Sequence, residues 1–486
     1  MTELYQRIAG QAARRPDALA LQVGDRLLSH RDLLNLTDAS ARQFRAEGLG
    51  QASLLGWLGH NSAEMVAALL ACAKIGAVFV PLNWRLAAPE LAAITVHAGL
   101  SALRHSPELA LLADQVLALA PLSGTGIARV EPGDVMLVYT SGTTGEPKGV
   151  MHSANTVMAN IIPYAQRLQL DAEDVVLMAS PMAHQTGFMY GLMMPIMLKA
   201  SAVLQDIWEP KKAVEIINTE KASFTMASTP FLSDLTRAVV EGKTPVPTLK
   251  TFLCAGAPIP GPLVEQARAA LGTKIVSAWG MSENGAVTLI QLNDSDERAF
   301  TTDGLALPGV ELKVVEIDAS GPALPAGTPG KLYVRSCSNF GGYLKRPQLN
   351  GTDAEGWFDT GDLARMDEQG YIRITGRSKD VIIRGGENIP VVEIESLLYR
   401  HPAVAMAAIV AYPDERLGER ACAVVVTKPG QSMDLPEIVR YLKENKVAIQ
   451  YIPERLQVLD SMPATPSGKI QKFKLREQLQ AMLTQG

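Results

Sequence analysis

The sequence predicts an α/β protein: a large N-terminal domain of layered α/β subdomains that also carries a small β-barrel, followed by a small α+β C-terminal domain. Three observations carry that prediction. From residue 65 to residue 277, apolar β-branched runs alternate with helix-length patterned stretches, as parallel strands covered by helices require. Beyond Gly309 the strand-like runs are joined by a Gly- and Pro-rich loop instead of a helix, which suits a meander or small barrel. Near Gly376 the pattern changes again, and the remainder mixes two helices with two β-rich runs. The expected division of the 486 residues is 1–378 and 379–486, within the two to four domains that roughly 100–200 residues per domain allow.

Taken in order, the segment MVAALLACAKIGAVFVP (65–81) begins as an Ala/Leu-rich helix and breaks at Gly76 into the buried-strand run 77–80. Runs of the same kind recur at 135–139, 175–179, 201–204, 251–254 and 274–277. The runs 311–317 and 331–335 flank the 320–330 loop. Further on, Ile394, Leu397 and Leu398 lie at helical spacing over 391–400, and His401-Pro402 stops that helix. Two β-rich runs, 404–411 and 421–427, surround the polar turn PDERLGER, and Ile438, Val439 and Leu442 mark a second helix over 435–445.

Composition narrows the function. Hydrophobic residues at 47% and charged residues at 20% exclude a disordered, collagenous or coiled-coil chain. Lys and Arg total 45 against 50 Asp and Glu, so no basic excess exists to neutralise a nucleic-acid backbone, and no nucleic-acid partner is expected. Cys72, Cys254, Cys337 and Cys422 lie far apart, without metal-ligand spacing, and read as buried free thiols. Glu3, Arg7, Arg14 and Arg15 interrupt the N-terminal stretch where a secretory signal needs an apolar run, so a cytoplasmic location is expected. The most apolar stretch, 186–198, contains Gly191 and Pro195 and falls short of the ~20 residues that span a bilayer, so no transmembrane segment is expected.

The most informative segment is YTSGTTGEPKG (139–149), which follows an apolar run. Its glycines let backbone N–H groups approach an anion, the hydroxyls of Ser141, Thr143 and Thr144 add donors, and Lys148 adds a mobile positive charge. Phosphate is the ligand this chemistry suits. A Walker A loop needs Gly-Lys-Ser/Thr opening a helix, whereas here Pro147 precedes the lysine and Gly149-Val150-Met151 resumes a strand. Taken alone, a Gly/Thr cluster is equally a surface loop.

This string and seven others, in order along the chain, resemble the motifs of the adenylate-forming superfamily of acyl-CoA synthetases, peptide-synthetase adenylation domains and luciferases. PMAHQTG (181–187) resembles the acyl-pocket motif, CAGAP (254–258) the adenine loop, and SAWGMSE (277–283) the nucleotide and magnesium motif. GWFDTGD (356–362) is similar to the ribose-binding segment, GRSKD (376–380) to an interdomain hinge, RGGEN (384–388) to the thiol-channel loop, and PSGK (466–469) to the motif of a C-terminal catalytic lysine.

The resemblance implies ATP, Mg2+ and CoA, and it assigns residues. Thr140, Ser141, Gly142, Thr143, Thr144, Gly145 and Lys148 would cradle phosphate, while Gly256, Ala257 and Pro258 would border the adenine. Trp279, Gly280 and Ser282 would contact the nucleotide, and Glu283 would offer the hard oxygen that Mg2+ prefers. Asp362 would accept the ribose hydroxyls and Arg377 would donate to ribose or phosphate, with a surface ion pair as the alternative. His184, on its own a core histidine, would border the acyl pocket and thiol tunnel; Gly385 and Gly386 would leave room for a pantetheine arm. Lys469 would bridge the carboxylate and α-phosphate, and Lys379 would be the pivot of a mobile C-terminal domain. Lys472, Lys474 and Arg476 read as a solvated helix face. Trp279, Ser282 and Lys472 depart mildly from the commoner tyrosine, threonine and arginine, and the interval 83–139 is short for the family.

The function so implied is an AMP-forming acid–thiol ligase acting on a compact apolar acid, alicyclic, medium-chain or aryl. The stretches 338–347 and 380–400 are most similar to ligases of cyclohexanecarboxylate and medium-chain acids. An adenylation enzyme that loads a carrier protein and an o-succinylbenzoate-type aryl-CoA ligase are the alternatives, and a homodimer stays open. An amino-acid adenylation domain would need an acid in the pocket motif, which reads Met182-Ala183-His184. A non-catalytic ligand binder would be expected to lack Glu283 or Lys469, and both are present.

Overall fold

A computed structural model describes residues 3–122, 134–141, 147–257, 259–317, 321–385, 387–464 and 470–485. The large N-terminal domain is built on two sheets. One has nine strands, with a parallel centre in which Phe224–Ala227, Thr251–Ala255 and Lys274–Met281 run side by side. Antiparallel strands finish it at both edges. The other has five strands, among them Leu54–Leu58, Val78–Leu82 and the hairpin Asp134–Ser141/Pro147–Ser153.

Between Glu64 and Lys74 the helix Ala63–Ile75 is apolar on every side because it is buried on every side, inside a core that joins residues of both sheets. Gly76, at φ 81°, ends it in the left-handed conformation and releases the chain directly into Val78–Leu82. The runs read as buried strands thus lie where burial on both faces removes the usual polar alternation. The methionine-rich stretch folds as Gln185–Phe188, a π-helical turn Met189–Met193 and Met194–Leu198. Met178, Met182, Met189, Met193 and Met194 are all buried and belong to the main core.

After Gly309 the strands Val310–Val315, Gly330–Ser336, Phe358–Met366 and Ile372–Arg377 form an antiparallel meander. Its inner face covers Trp279 and Val287 and so closes over the end of the nine-stranded sheet. The smaller C-terminal domain follows, with the long hairpin Val404–Asp414/Gly418–Thr427 at its centre. Helices Val391–Leu398 and Leu435–Glu444 pack on one face of its sheet and Lys472–Gln485 on the other. Three of the cysteines are buried as expected, but Cys337 is exposed, because it lies in the turn just beyond the strand Gly330–Ser336.

Candidate active site

The site is organised by the hairpin of Lys274–Met281 and Gly285–Leu289, whose tip carries Ser282 and Glu283. Close approach of the two strands requires Gly280: a Cβ there would lie 1.9 Å from the carbonyl oxygen of Gly285. Four elements grip the hairpin. His152 Nε2 donates to the Ser282 carbonyl at 2.6 Å, and Gln185 Nε2 donates to the same oxygen at 3.0 Å. Asn160 Nδ2 donates to the Ala286 carbonyl (2.8 Å) while its Oδ1 accepts from the Tyr190 hydroxyl (2.6 Å), which in turn accepts from the Ala286 N–H (2.7 Å). Burial pushes the His152 pKa down, so the ring is neutral and donates from Nε2. His152, Asn160 and Tyr190 lie outside the sequence motifs, and Gln185 lies within PMAHQTG (181–187) with no role assigned to it there.

Glu283 is buried, and its Oε1 accepts a 2.6 Å hydrogen bond from the Tyr343 hydroxyl. Burial and the Glu283 charge push the Tyr343 pKa well up, which keeps the phenol protonated as donor. Lys148 Nζ lies 5.3 Å from the centre of the same ring. Its pKa is lowered, first by burial and then by repulsion from Lys379, Arg346 and Arg377, against the attraction of Glu283. A crowd of cations around one carboxylate is an environment completed by a polyanion.

On the other side of the hairpin, Trp279 Nε1 donates to Asp362 Oδ2 at 2.9 Å, and Arg377 Nε pairs with Asp362 Oδ1 at 2.8 Å. Asp362 is buried while Arg377 is more than one-third exposed, so the pair is anchored inside and open outward. Each carboxylate oxygen keeps a lone pair for a further donor. Trp279 therefore acts on Asp362, a partnership with no spacing signal in the sequence.

Thr140 and Ser141 end the strand Asp134–Ser141, opposite Lys148 and Pro147. The return strand Pro147–Ser153 makes this a strand–loop–strand unit, unlike a Walker A loop. Gly142, Thr143, Thr144 and Gly145 lie outside the described residues, as do Pro258, Gly386 and Lys469. Gly256, at φ 93°, and Ala257 are exposed after the strand Thr251–Ala255. His184 caps the helix Gln185–Phe188, its exposed ring accepting at Nδ1 from the Thr186 N–H at 3.3 Å. Lys379 sits in the short turn Ser378–Asp380. Gly385, at φ 60°, donates its N–H to the Leu417 carbonyl, and Arg384 beside it pairs with Glu454 at 2.6 Å.

The expectation of a solvated basic face near the C-terminus is corrected for two residues. Lys472 pairs with the half-buried Glu395 at 2.7 Å, and Arg476 pairs with Asp380 at 2.8 Å. Helix Lys472–Gln485 packs on the sheet, which turns these cations toward acids that spacing could not reveal. Lys474 is exposed as expected.

Among the described residues no group of three or more His, Cys, Asp or Glu could hold a metal by itself. A magnesium ion that arrives on nucleotide phosphates needs only one or two protein carboxylates, and Glu283 fits that requirement.

The match to known proteins agrees with this geometry. The AMP-binding enzyme family model matches residues 8–344, and its C-terminal domain model matches residues 393–469. The chain belongs to the AMP-binding enzyme family. It is 38% identical to a medium-chain fatty-acid–CoA ligase of Escherichia coli (strain K12), over 87% of this chain and 80% of that one. A feruloyl-CoA synthase of an Amycolatopsis species is 31% identical, over 96% of this chain and 97% of that one. The ATP-bound structure of MatB from Rhodopseudomonas palustris superposes with a TM-score of 0.89 at 25% identity, covering 99% of both chains. No helix among the described residues is long and apolar enough to cross a membrane.

Proposed function

We propose that the chain is an AMP-forming acyl-CoA ligase for a compact apolar carboxylic acid. In the first half-reaction a carboxylate oxygen attacks the α-phosphorus of ATP and pyrophosphate leaves; in the second, the CoA sulfur attacks the acyl carbon and AMP leaves. The observation that carries this reading is the Ser282–Glu283 hairpin. It places Trp279 on the Asp362–Arg377 pair and Glu283 beside Tyr343 and Lys148, so that acceptors for a ribose and charges for a triphosphate, carried by separate strands, converge on one hairpin.

Each residue then has a task. Asp362 accepts from the ribose hydroxyls, Arg377 donates to ribose or α-phosphate, and Lys148 neutralises the phosphates with donors from 140–145. Glu283 holds the Mg2+ of Mg-ATP, which supplies charge neutralisation for the departing pyrophosphate. Lys469 draws the carboxylate and the α-phosphate together, and Gly385 and Gly386 leave a path for the thiol. The boundary falls at 378/379, within the turn Ser378–Asp380, and Lys379 is the pivot on which the C-terminal domain presents Lys469 and then the 384–388 loop. ATP and CoA as substrates suit the cytoplasm.

The choice of acid rests on the segment 181–198. It holds no Asp, Glu, Lys or Arg that could pair an ammonium or a second carboxylate, and an unpaired buried charge costs several kcal/mol. Pyrophosphate release measured against a panel of acids tests this. Medium-chain, alicyclic and aryl monocarboxylates should turn over with CoA at least tenfold faster than amino acids or dicarboxylates. Faster turnover of a zwitterionic amino acid would refute the assignment.

A further inference from the structure

Residues 340–344 form a strap between the two halves of the nucleotide site. The Phe340 N–H donates to the Glu283 carbonyl at 2.7 Å. Gly341 then donates to Met151 (2.9 Å), Met151 to Gly342 (3.1 Å) and Leu344 to Gly149 (2.8 Å), so the strap pairs with the strand that carries Lys148. Asn350 Oδ1 accepts from the Tyr343 N–H at 2.9 Å. Gly342, at φ 122°, would place a Cβ only 2.7 Å from the Asn350 side chain, so glycine alone fits there. The ring of Phe340 meets those of Tyr343 and Phe358 edge-on, at 4.8 and 5.3 Å between centres.

We infer that Tyr343 is a positioning residue for ATP: its hydroxyl fixes the Glu283 carboxylate, and the strap that carries it sets Glu283 and Lys148 in one register. Glutamate has three side-chain torsions, and a carboxylate free to sample them holds a cation less well than one held in place. Among the described residues, Tyr343 is the side chain that hydrogen-bonds the Glu283 carboxylate. A hydrogen bond to a charged group is worth roughly tenfold to a hundredfold in an equilibrium constant. The inference rests on Glu283 serving Mg-ATP and adds the residue that makes it serve well.

Calorimetric titration of ATP into Tyr343→Phe, with and without Mg2+, tests it. Phenylalanine keeps the ring contacts with Phe340 and Lys148, and a wild-type melting curve verifies the fold. Affinity in Mg2+ should fall about tenfold. Mg2+-free ATP affinity and the KM for the acid should stay within about twofold, a split that a general loss of packing would not produce. The double variant Glu283→Gln/Tyr343→Phe should bind no more weakly than Glu283→Gln alone. Wild-type affinity in Tyr343→Phe, beside a weakened Glu283→Gln, would overturn the role of Tyr343 and leave that of Glu283 standing; multiplying penalties would also overturn it. Unchanged Mg2+ dependence in Glu283→Gln would remove both.

Discussion

His152 shows how a residue that belongs to no motif can hold the site together. It is buried, neutral, and spends its Nε2 proton on the carbonyl of Ser282, next to Glu283. Its pKa in the folded protein lies below the value of about 6.5 that it has in an unfolded chain. Its share of the stability is therefore complete above that pH and is lost as pH falls toward the depressed folded value, by at most about 1.4 kcal/mol per pH unit. We predict that denaturant midpoints of the wild type fall more steeply between pH 7 and pH 5 than those of His152→Gln, whose amide can still donate to Ser282. Parallel slopes would show that another group sets the acid sensitivity. The sequence offered no sign of this role, because His152, Asn160, Tyr190 and Ser282 come from separate segments and only folding brings them together. What it did offer were residues whose identity announces their chemistry, such as Lys148, Glu283 and Asp362.

At the scale of elements, the same distinction separates what was legible from what was not. The strands at 175–178, 201–204 and 251–255 could be read because burial on both faces leaves an uninterrupted apolar run. The strand Leu54–Leu58, broken by Gly56, and the four-residue Phe224–Ala227 gave weaker patterns and went unread. The tight β-hairpin that carries Trp279 and Glu283 depends on Gly280, whose missing side chain makes room for the backbone of Gly285 and Ala286. Overpacking at such a contact costs about 1–3 kcal/mol and moves the strands apart. Gly280→Ala should therefore lower the thermal midpoint and reduce acyl-AMP formation by at least tenfold, whereas Gly10→Ala, in the helix Glu3–Arg14 with open space for a methyl group, should keep full activity. Equal activity in both variants, measured as acid-dependent pyrophosphate release, would detach the hairpin from catalysis.

Across the whole molecule, the proposed function divides the labour between the two domains. The large one holds Lys148, Glu283, Asp362 and Arg377, and the small one carries Lys469 and the 384–388 loop. Arg476 ties the helix that follows Lys469 to Asp380, beside Lys379, while Lys472 ties it to Glu395. The turn at 378–380 and the segment leading from Lys469 are thus joined through side chains as well as through the chain. The order of domains and the change of pattern near Gly376 were legible; these cross-links were not, since a basic run looks solvated until its partners are known. In the proposed reaction the acid is activated by attack of its own oxygen on the α-phosphorus and released to CoA by cleavage of the acyl C–O bond. Turnover of a carboxylate labelled with oxygen-18, followed by mass spectrometry of the products, tests it most directly. Each AMP should carry one labelled oxygen and pyrophosphate none; label in orthophosphate with ADP as co-product, or AMP without label, would refute this route.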